Sequence, residues 1–190
     1  MRRVVIVMLV CLAATGCAES TPGGGGASPQ ATASPEAPAE LPGASCRNVN
    51  AGNPANLPDF VAVELESAQG EDRITFQFEP QPDAPDAPPF HVVSFVDELA
   101  TEGEGAPVEV EGDAFLLVSF QALGVDLSGE EPREVYMGPK QFTPGFGTVL
   151  EVAHLGDFEG QVSWGVGLSR RACFVLDAAK DHLTLSFPSS

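Results

Sequence analysis

Four cysteines, three histidines, one tryptophan and a large excess of carboxylates are the side chains in this 190-residue chain that could do chemistry. No two cysteines stand as Cys-x-x-Cys, which excludes a thioredoxin-type exchange centre. Ser163, in Gly160-Gln161-Val162-Ser163-Trp164-Gly165, misses the Gly-x-Ser-x-Gly nucleophile elbow by one residue. Its surroundings also read as strands and not as a strand-to-helix turn. His91, His154 and His182 each stand alone in strand-like sequence, so none is placed as a base beside a nucleophile. Asp157-Phe158-Glu159-Gly160 resembles a kinase Asp-Phe-Gly only superficially, because the catalytic loop, glycine-rich loop and paired lysine are missing. Asp97, Glu98, Glu102 and Glu104 offer hard oxygen ligands of the kind calcium takes, but such runs are more often solvated loops. Glu109, Glu111 and Asp113 flank a turn, and a glycosidase pair would need two carboxyls held at a fixed separation in a cleft. No metal and no cofactor are expected. Trp164 and Arg73 are the candidate ligand-binding residues. Trp164 reads either as a sugar-stacking platform or as a core anchor, and Gly165 and Gly167 beside it favour the core. Arg73 reads either as a carboxylate clamp or as the ion-pair partner of Asp72. Asp72 could equally serve the turn before it.

The most specific chemistry lies at the N-terminus. Arg2 and Arg3 precede an apolar run, Val4 to Ala14, that is too short to span a bilayer and has the dimensions of a secretory h-region. Leu12-Ala13-Ala14-Thr15-Gly16-Cys17 then resembles a bacterial lipobox, with small residues before a cysteine whose thiol can take a diacylglycerol. Residues 1–16 are therefore expected to be a lipoprotein signal peptide and Cys17 the lipidation site. Two acyl chains give the stable anchoring that one does not. The expected location is the extracytoplasmic face of the cell membrane. Residues 17–45 follow as a tether: of the 28 residues from Ala18 to Ser45, 23 are Ala, Gly, Pro, Ser or Thr. Such a segment buries too little apolar surface to offset its ordering entropy, and its reach is about 30 Å.

Charge narrows the partners. The chain has 9 basic and 27 acidic side chains, a formal charge of −18. Losing residues 1–16 would remove Arg2 and Arg3 and no acid. That balance argues against nucleic acid and against adhesion to anionic lipid by the domain itself. Partners left open are the membrane through the anchor, an envelope protein and a cell-wall glycan.

The elements that must position any site begin at Cys46. Apolar residues alternate with polar ones at Val61, Val63 and Leu65 and at Ile74, Phe76 and Phe78, the period of half-buried strands. Residues 90–96, 108–110, 114–120, 149–155, 161–164, 173–176 and 183–187 extend the series to about nine short strands. Turns are expected at Gln69-Gly70, Glu111-Gly112, Gly156-Asp157, Glu159-Gly160 and Gly165 to Gly167, and one helical turn at Asp177 to Asp181. The segment 79–89 has five prolines in eleven residues and must be a loop, and 121–147 is expected to be a longer one. The expected fold is all-β, an antiparallel sandwich over residues 46–190. With Cys11 removed and Cys17 lipidated, an exported domain keeps an even pair, so Cys46–Cys173 is the expected disulfide, the alternative being two buried thiols.

Several segments are similar to the AMIN-like domain of lipoproteins from high-GC bacteria: Asp72-Arg73-Ile74-Thr75-Phe76-Gln77-Phe78, Gly105-Ala106-Pro107-Val108, Gly112-Asp113-Ala114-Phe115-Leu116, Tyr136-Met137-Gly138-Pro139 and, most specifically, residues 156–168. The resemblance implies a β-sandwich and a place in the cell envelope. AMIN domains proper direct enzymes and secretion machinery to the envelope by binding peptidoglycan, whereas the AMIN-like relatives have no established activity. Two departures stand out. The 79–89 loop is enlarged, and the last strand reads His182-Leu183-Thr184-Leu185-Ser186-Phe187 where the family tends toward Arg-Leu-Val-Val-Asp. The function expected is a non-catalytic envelope lipoprotein whose sandwich binds or scaffolds, with a membrane-tethered hydrolase as the alternative.

Overall fold

The period-two segments do become strands. The computed structural model describes residues 40–126 and 131–189, all within the compact unit Ala37–Ser190. Cys17, the signal segment and the tether up to residue 39 lie outside the described residues. Among the described residues there are fourteen strands, numbered in chain order, and no helix. One sheet has six strands in the order β1 (Val49–Ala51), β4 (His91–Val96), β7 (Ala114–Gln121), β12 (Gln161–Leu168), β11 (Val149–Phe158), β10 (Gln141–Phe142). A second has four, β13 (Val175–Ala178), β14 (His182–Pro188), β3 (Glu71–Glu79), β2 (Asp59–Ala68). Two ribbons complete the set, β5 (Leu99–Ala100) with β6 (Pro107–Val108) and β8 (Val125–Asp126) with β9 (Arg133–Glu134). Neighbouring strands pair antiparallel throughout, and the result is a β-sandwich.

Alternation fills the space between the sheets. Ile74, Phe76, Leu183, Leu185 and Phe187 come from the four-stranded sheet, and Val93, Leu116, Val118, Val162, Trp164 and Val166 from the six-stranded one; all are fully buried. Phe60 is at the centre of an aromatic group, stacked on Tyr136 at 4.5 Å and edge-on to Phe120 at 5.2 Å and Trp164 at 6.0 Å. Each such side chain contributes about 1.5–3 kcal/mol by burial, with further gain from the ring geometry.

Three register shifts, one on β2 and two on β11, break strict alternation, and two of them decide which side chains face inward near Trp164. A bulge between Phe60 and Ala62 on β2 turns Val61 out to solvent and puts Phe60, not Val61, on the core side. A second bulge, between His154 and Gly156 on β11, pairs His154 with Trp164 and Asp157 with Val162. His154 and Asp157 therefore share the inner face.

The hairpin turns at Gln69-Gly70 and Glu159-Gly160 have left-handed backbone at both central residues (φ 57° and 83°, 52° and 76°), as a two-residue hairpin requires. Other turn expectations are corrected. Gly165 to Gly167 lie inside β12 and Gly156-Asp157 inside β11, while Asp177 and Ala178 belong to β13. The glycines of β12 make room for a covering segment, Gly165 for a side chain and Gly167 for backbone. Its inner positions carry Val162, Trp164, Val166 and Leu168, and its outer positions Ser163, Gly165 and Gly167 are covered by the segment around β5 and β6. A Cβ on Gly167 would stand 1.9 Å from the Glu111 carbonyl oxygen, and one on Gly165 2.6 Å from Leu99 Cδ1. β12 is therefore buried on both faces. The long 121–147 stretch carries β8, β9 and β10, and the proline-rich 79–89 segment runs without regular structure beyond β3.

The two cysteines are bridged, Cys46 to Cys173, with Cα atoms 4.3 Å apart. Backbone pairing of Ser45 with Phe174 continues the link. A buried carboxylate ties the two sheets elsewhere. Asp72 on β3 accepts from Ser67 Oγ (2.7 Å) and from the backbone N–H groups of Thr148 (2.7 Å) and Val149 (3.2 Å) at the start of β11.

Candidate functional site

At one end of the sandwich three distant segments meet. Leu123 N–H donates to the Pro58 carbonyl, Phe60 N–H to the Leu123 carbonyl, and Ala122 N–H to the Gly160 carbonyl, at 2.8–3.0 Å. The chain before β2, the chain between β7 and β8, and the β11–β12 turn are thereby locked together. Between them opens a cleft of about 550 Å³ walled by Leu57, Leu123, Val125 and Phe158 and edged by Asp157 and Glu159. That size suits a few side chains or a small ligand. Phe158 is 53% exposed and Leu57 39%, two of the four large apolar residues that reach solvent among the described residues.

Asp157 also faces a second space, a cavity of about 50 Å³ that it shares with Glu134, Tyr136, Lys140 and His154. Burial pushes its carboxyl above the usual range, opposed by hydrogen bonds from the Gly124 and Val125 backbone and by the charge of Lys140. Its Oδ2 is buried with no hydrogen-bond partner among the described residues. His154 lies on the Trp164 ring, centroids 5.0 Å apart. Burial, and then Lys140, lower its pKa below the ordinary 6.5. Tyr136 donates its hydroxyl to the Pro139 carbonyl at 2.6 Å, and burial raises its pKa. Asp157 and Val125 line both spaces, so the apolar wall of the cleft meets an acid at its edge.

The residues singled out from sequence go elsewhere. Trp164 is fully buried, with no ring face open to a sugar; it packs against Phe60, Phe76, Tyr136, Phe142 and His154. Arg73 does not pair with Asp72: it donates to Glu71 (2.8 and 3.0 Å) and lies 3.6 Å from Glu66. Ser163 donates to Glu102 and lies 2.9 Å from Ser119 Oγ, on the outer face of β12. His154 is on the inner face, His91 bonds the Pro89 carbonyl (2.8 Å), and His182 sits between Asp181 (2.9 Å) and Asp177 (3.4 Å). The sheet itself separates Ser163 from His154.

The acidic runs are partly gathered. Asp97, Glu98, Glu109 and Glu111 border an open cleft of about 590 Å³ with Leu99 and Phe115 in its wall. Among the described residues no three His, Cys, Asp or Glu side chains converge as metal ligands. Glu151, beneath this region, is already bonded by Glu111 N–H and Gln141 Nε2.

The cleft residues Leu57 and Leu123 escaped the sequence reading, and Asp157 and Phe158 entered it as a dismissed kinase-like motif and not as a binding site. The available signal was Phe158, a large apolar residue placed directly before a two-residue hairpin turn, where strand ends are normally polar.

Residues 58–185 match the family model of the AMIN-like domain, and the chain belongs to that family. No curated protein and no solved structure matches it.

Proposed function

We propose that this AMIN-like domain is the non-catalytic binding or scaffolding module of a lipid-anchored envelope protein, holding an envelope protein or a cell-wall component close to the membrane. The anchor reading rests on the Leu12 to Cys17 motif and the Ala/Gly/Pro/Ser-rich stretch after it. The carrying observation for binding is the cleft at the sandwich end, where Leu57 and Phe158 stay exposed on a framework tied by backbone hydrogen bonds and a disulfide. The hydrolase alternative needs Ser163 beside a histidine, and the opposite faces of Ser163 and His154 count against it. Wall polymers rich in phosphate or carboxylate would be repelled by a domain of this charge, so a basic protein partner is preferred.

The test uses the full-length protein in cells and after purification. Wild type is expected with the membrane fraction, and Cys17→Ala in the soluble fraction. Retention on immobilised envelope protein is expected to fall with added salt. A Cys17→Ala protein that still fractionates with membranes would overturn the anchor. Tight, salt-insensitive retention on purified wall would overturn the preference for a protein partner.

A further inference from the structure

We infer that the cleft between Leu57, Leu123, Val125 and Phe158 is a site for a lysine side chain carried on an apolar peptide segment of a partner, its ammonium meeting Asp157. The inference rests on the binding-module reading and names the chemistry that reading leaves open. Three observations carry it. The walls are apolar and two of them are exposed, so an apolar stem gains by covering them. The charged residues on the cleft are Asp157 and Glu159, both acidic, and Lys140 lines the smaller cavity behind Asp157 and not the cleft. The Asp157 carboxyl is partly withdrawn from water where the cleft meets the smaller cavity, so a cation reaching it from the cleft is less screened than one at a fully exposed acid.

A lysine suits this geometry because its methylene stem lies along apolar surface while the ammonium reaches an acid. An ammonium at Asp157 favours the charged carboxylate that burial disfavours. The field of a chain with formal charge −18 draws cations toward the surface and repels anionic competitors.

The experiment titrates the full chain, isotopically labelled, with two blocked tripeptides, acetyl-Leu-Lys-Leu-amide and acetyl-Leu-norleucine-Leu-amide, followed by NMR. The second keeps the stem and removes the charge. Signals of Leu57, Leu123, Val125 and Phe158 are expected to shift with the lysine peptide, which binds about tenfold more tightly than its neutral counterpart. Asp157→Asn is expected to erase that ratio, and Phe158→Ala to weaken both peptides while keeping it. Equal binding of the two peptides, or no shift at the four cleft residues with either, would overturn the inference. If Asp157→Asn fails to fold, the ratio on wild type and on Phe158→Ala still decides. Retention on envelope protein with equal peptide binding would leave the module reading standing and sink this one. A preserved lysine preference without retention on any envelope fraction would do the reverse.

Discussion

His154 and Asp157 project from the same face of β11, although three residues separate them, because the bulge between His154 and Gly156 inserts one extra residue into the strand. In an unbroken strand, positions three apart face opposite ways. The bulge thus converts a strand end into a cavity wall: it leaves His154 on the Trp164 ring and swings Asp157 to the mouth of the cleft.

His154 makes Trp164 a reporter of this corner. The folded-state pKa of His154 lies below its ordinary 6.5, through burial and then Lys140. A lowered pKa contributes stability above the unfolded value that is lost as pH falls through the folded one. Trp164 is the only tryptophan, so the emission comes from one ring. Its fluorescence is expected to be quenched by the imidazolium with a midpoint below 6.5. His154→Gln should abolish the titration, and Lys140→Met should move the midpoint upward. A midpoint above 6.5 in wild type would contradict the burial argument.

Asp157 has the opposite sign. Its folded pKa is raised by burial, so the neutral form is favoured by folding, and the stability this gives is present below the unfolded value near 3.8 and lost as pH rises through the folded one. Asp157→Asn is therefore expected to stabilise the protein at pH 7, by less than about 1 kcal/mol because the group is only partly withdrawn from solvent. The gain should vanish below pH 3.8. Urea unfolding midpoints at pH 7 and pH 3.5 provide the check, and a loss of stability at pH 7 would count against it.

The strands, the sandwich and the Cys46–Cys173 pairing were legible because each leaves a repeating or countable mark: alternation at Ile74, Phe76 and Phe78, and an even pair of cysteines. The bulges left none. Val61 reads as the inward residue of β2 by period alone, and only the pairing of Phe60 with Phe78 and Ala62 with Gln77 turns it outward. The ribbons at Leu99–Ala100 and Val125–Asp126 are two residues long, too short for a period to show. Gly165 and Gly167 read as a turn since glycine signals either a turn or close approach, and what approaches them, the Leu99 side chain and the Glu111 backbone, lies far away in the sequence. The cleft was illegible for the same reason. Leu57, Leu123 and Phe158 are ordinary apolar residues until hydrogen bonds between three segments bring them together.

Reduction should cost far more than any surface change. The bridge between Cys46 and Cys173 closes a loop with a sequence separation of 127. Loop-closure entropy for that length reaches about 4–5 kcal/mol, and removal of such bridges typically costs about 2–5 kcal/mol. A Cys46→Ser, Cys173→Ser protein is expected to unfold at correspondingly lower denaturant with a changed slope, since its unfolded chain is less compact. Equal midpoints for oxidised and reduced protein would show that the bridge adds nothing.

Asp72→Ala is expected to destabilise by roughly 2–4 kcal/mol. The change removes the acceptor for Thr148 and Val149 N–H in a fully buried place and leaves both donors without a partner. Asp72→Asn should cost less, because an amide oxygen standing where Oδ2 does can still accept from both N–H groups. Thermal melts of the two variants rank them, and equal losses would show that packing, not the paired N–H groups, sets the cost.

Gly165 and Gly167 offer a sharper test, since they sit two residues apart on one face of one strand and differ in what covers them. A Cβ at Gly165 meets the end of the Leu99 side chain, which can rotate aside, and alanine gains about 0.5 kcal/mol or more over glycine in a strand interior through lost unfolded-state freedom. Gly165→Ala should therefore fall within about 1 kcal/mol of wild type. A Cβ at Gly167 instead meets the Glu111 carbonyl oxygen at 1.9 Å and carbon at 2.9 Å. Backbone cannot swing away without dragging Gly112, whose own hypothetical Cβ lies 2.7 Å from Leu168 N. Overpacking of that kind costs about 1–3 kcal/mol or more. Gly167→Ala should also loosen the segment from Leu99 to Glu111 and with it the hydrogen bond from Glu111 N–H to Glu151. Hydrogen exchange at Glu111, measured beside urea unfolding of both variants, separates the two outcomes. Equal stability of the variants, or an unchanged exchange rate at Glu111 in Gly167→Ala, would mean that the covering segment is not pinned by the missing side chain.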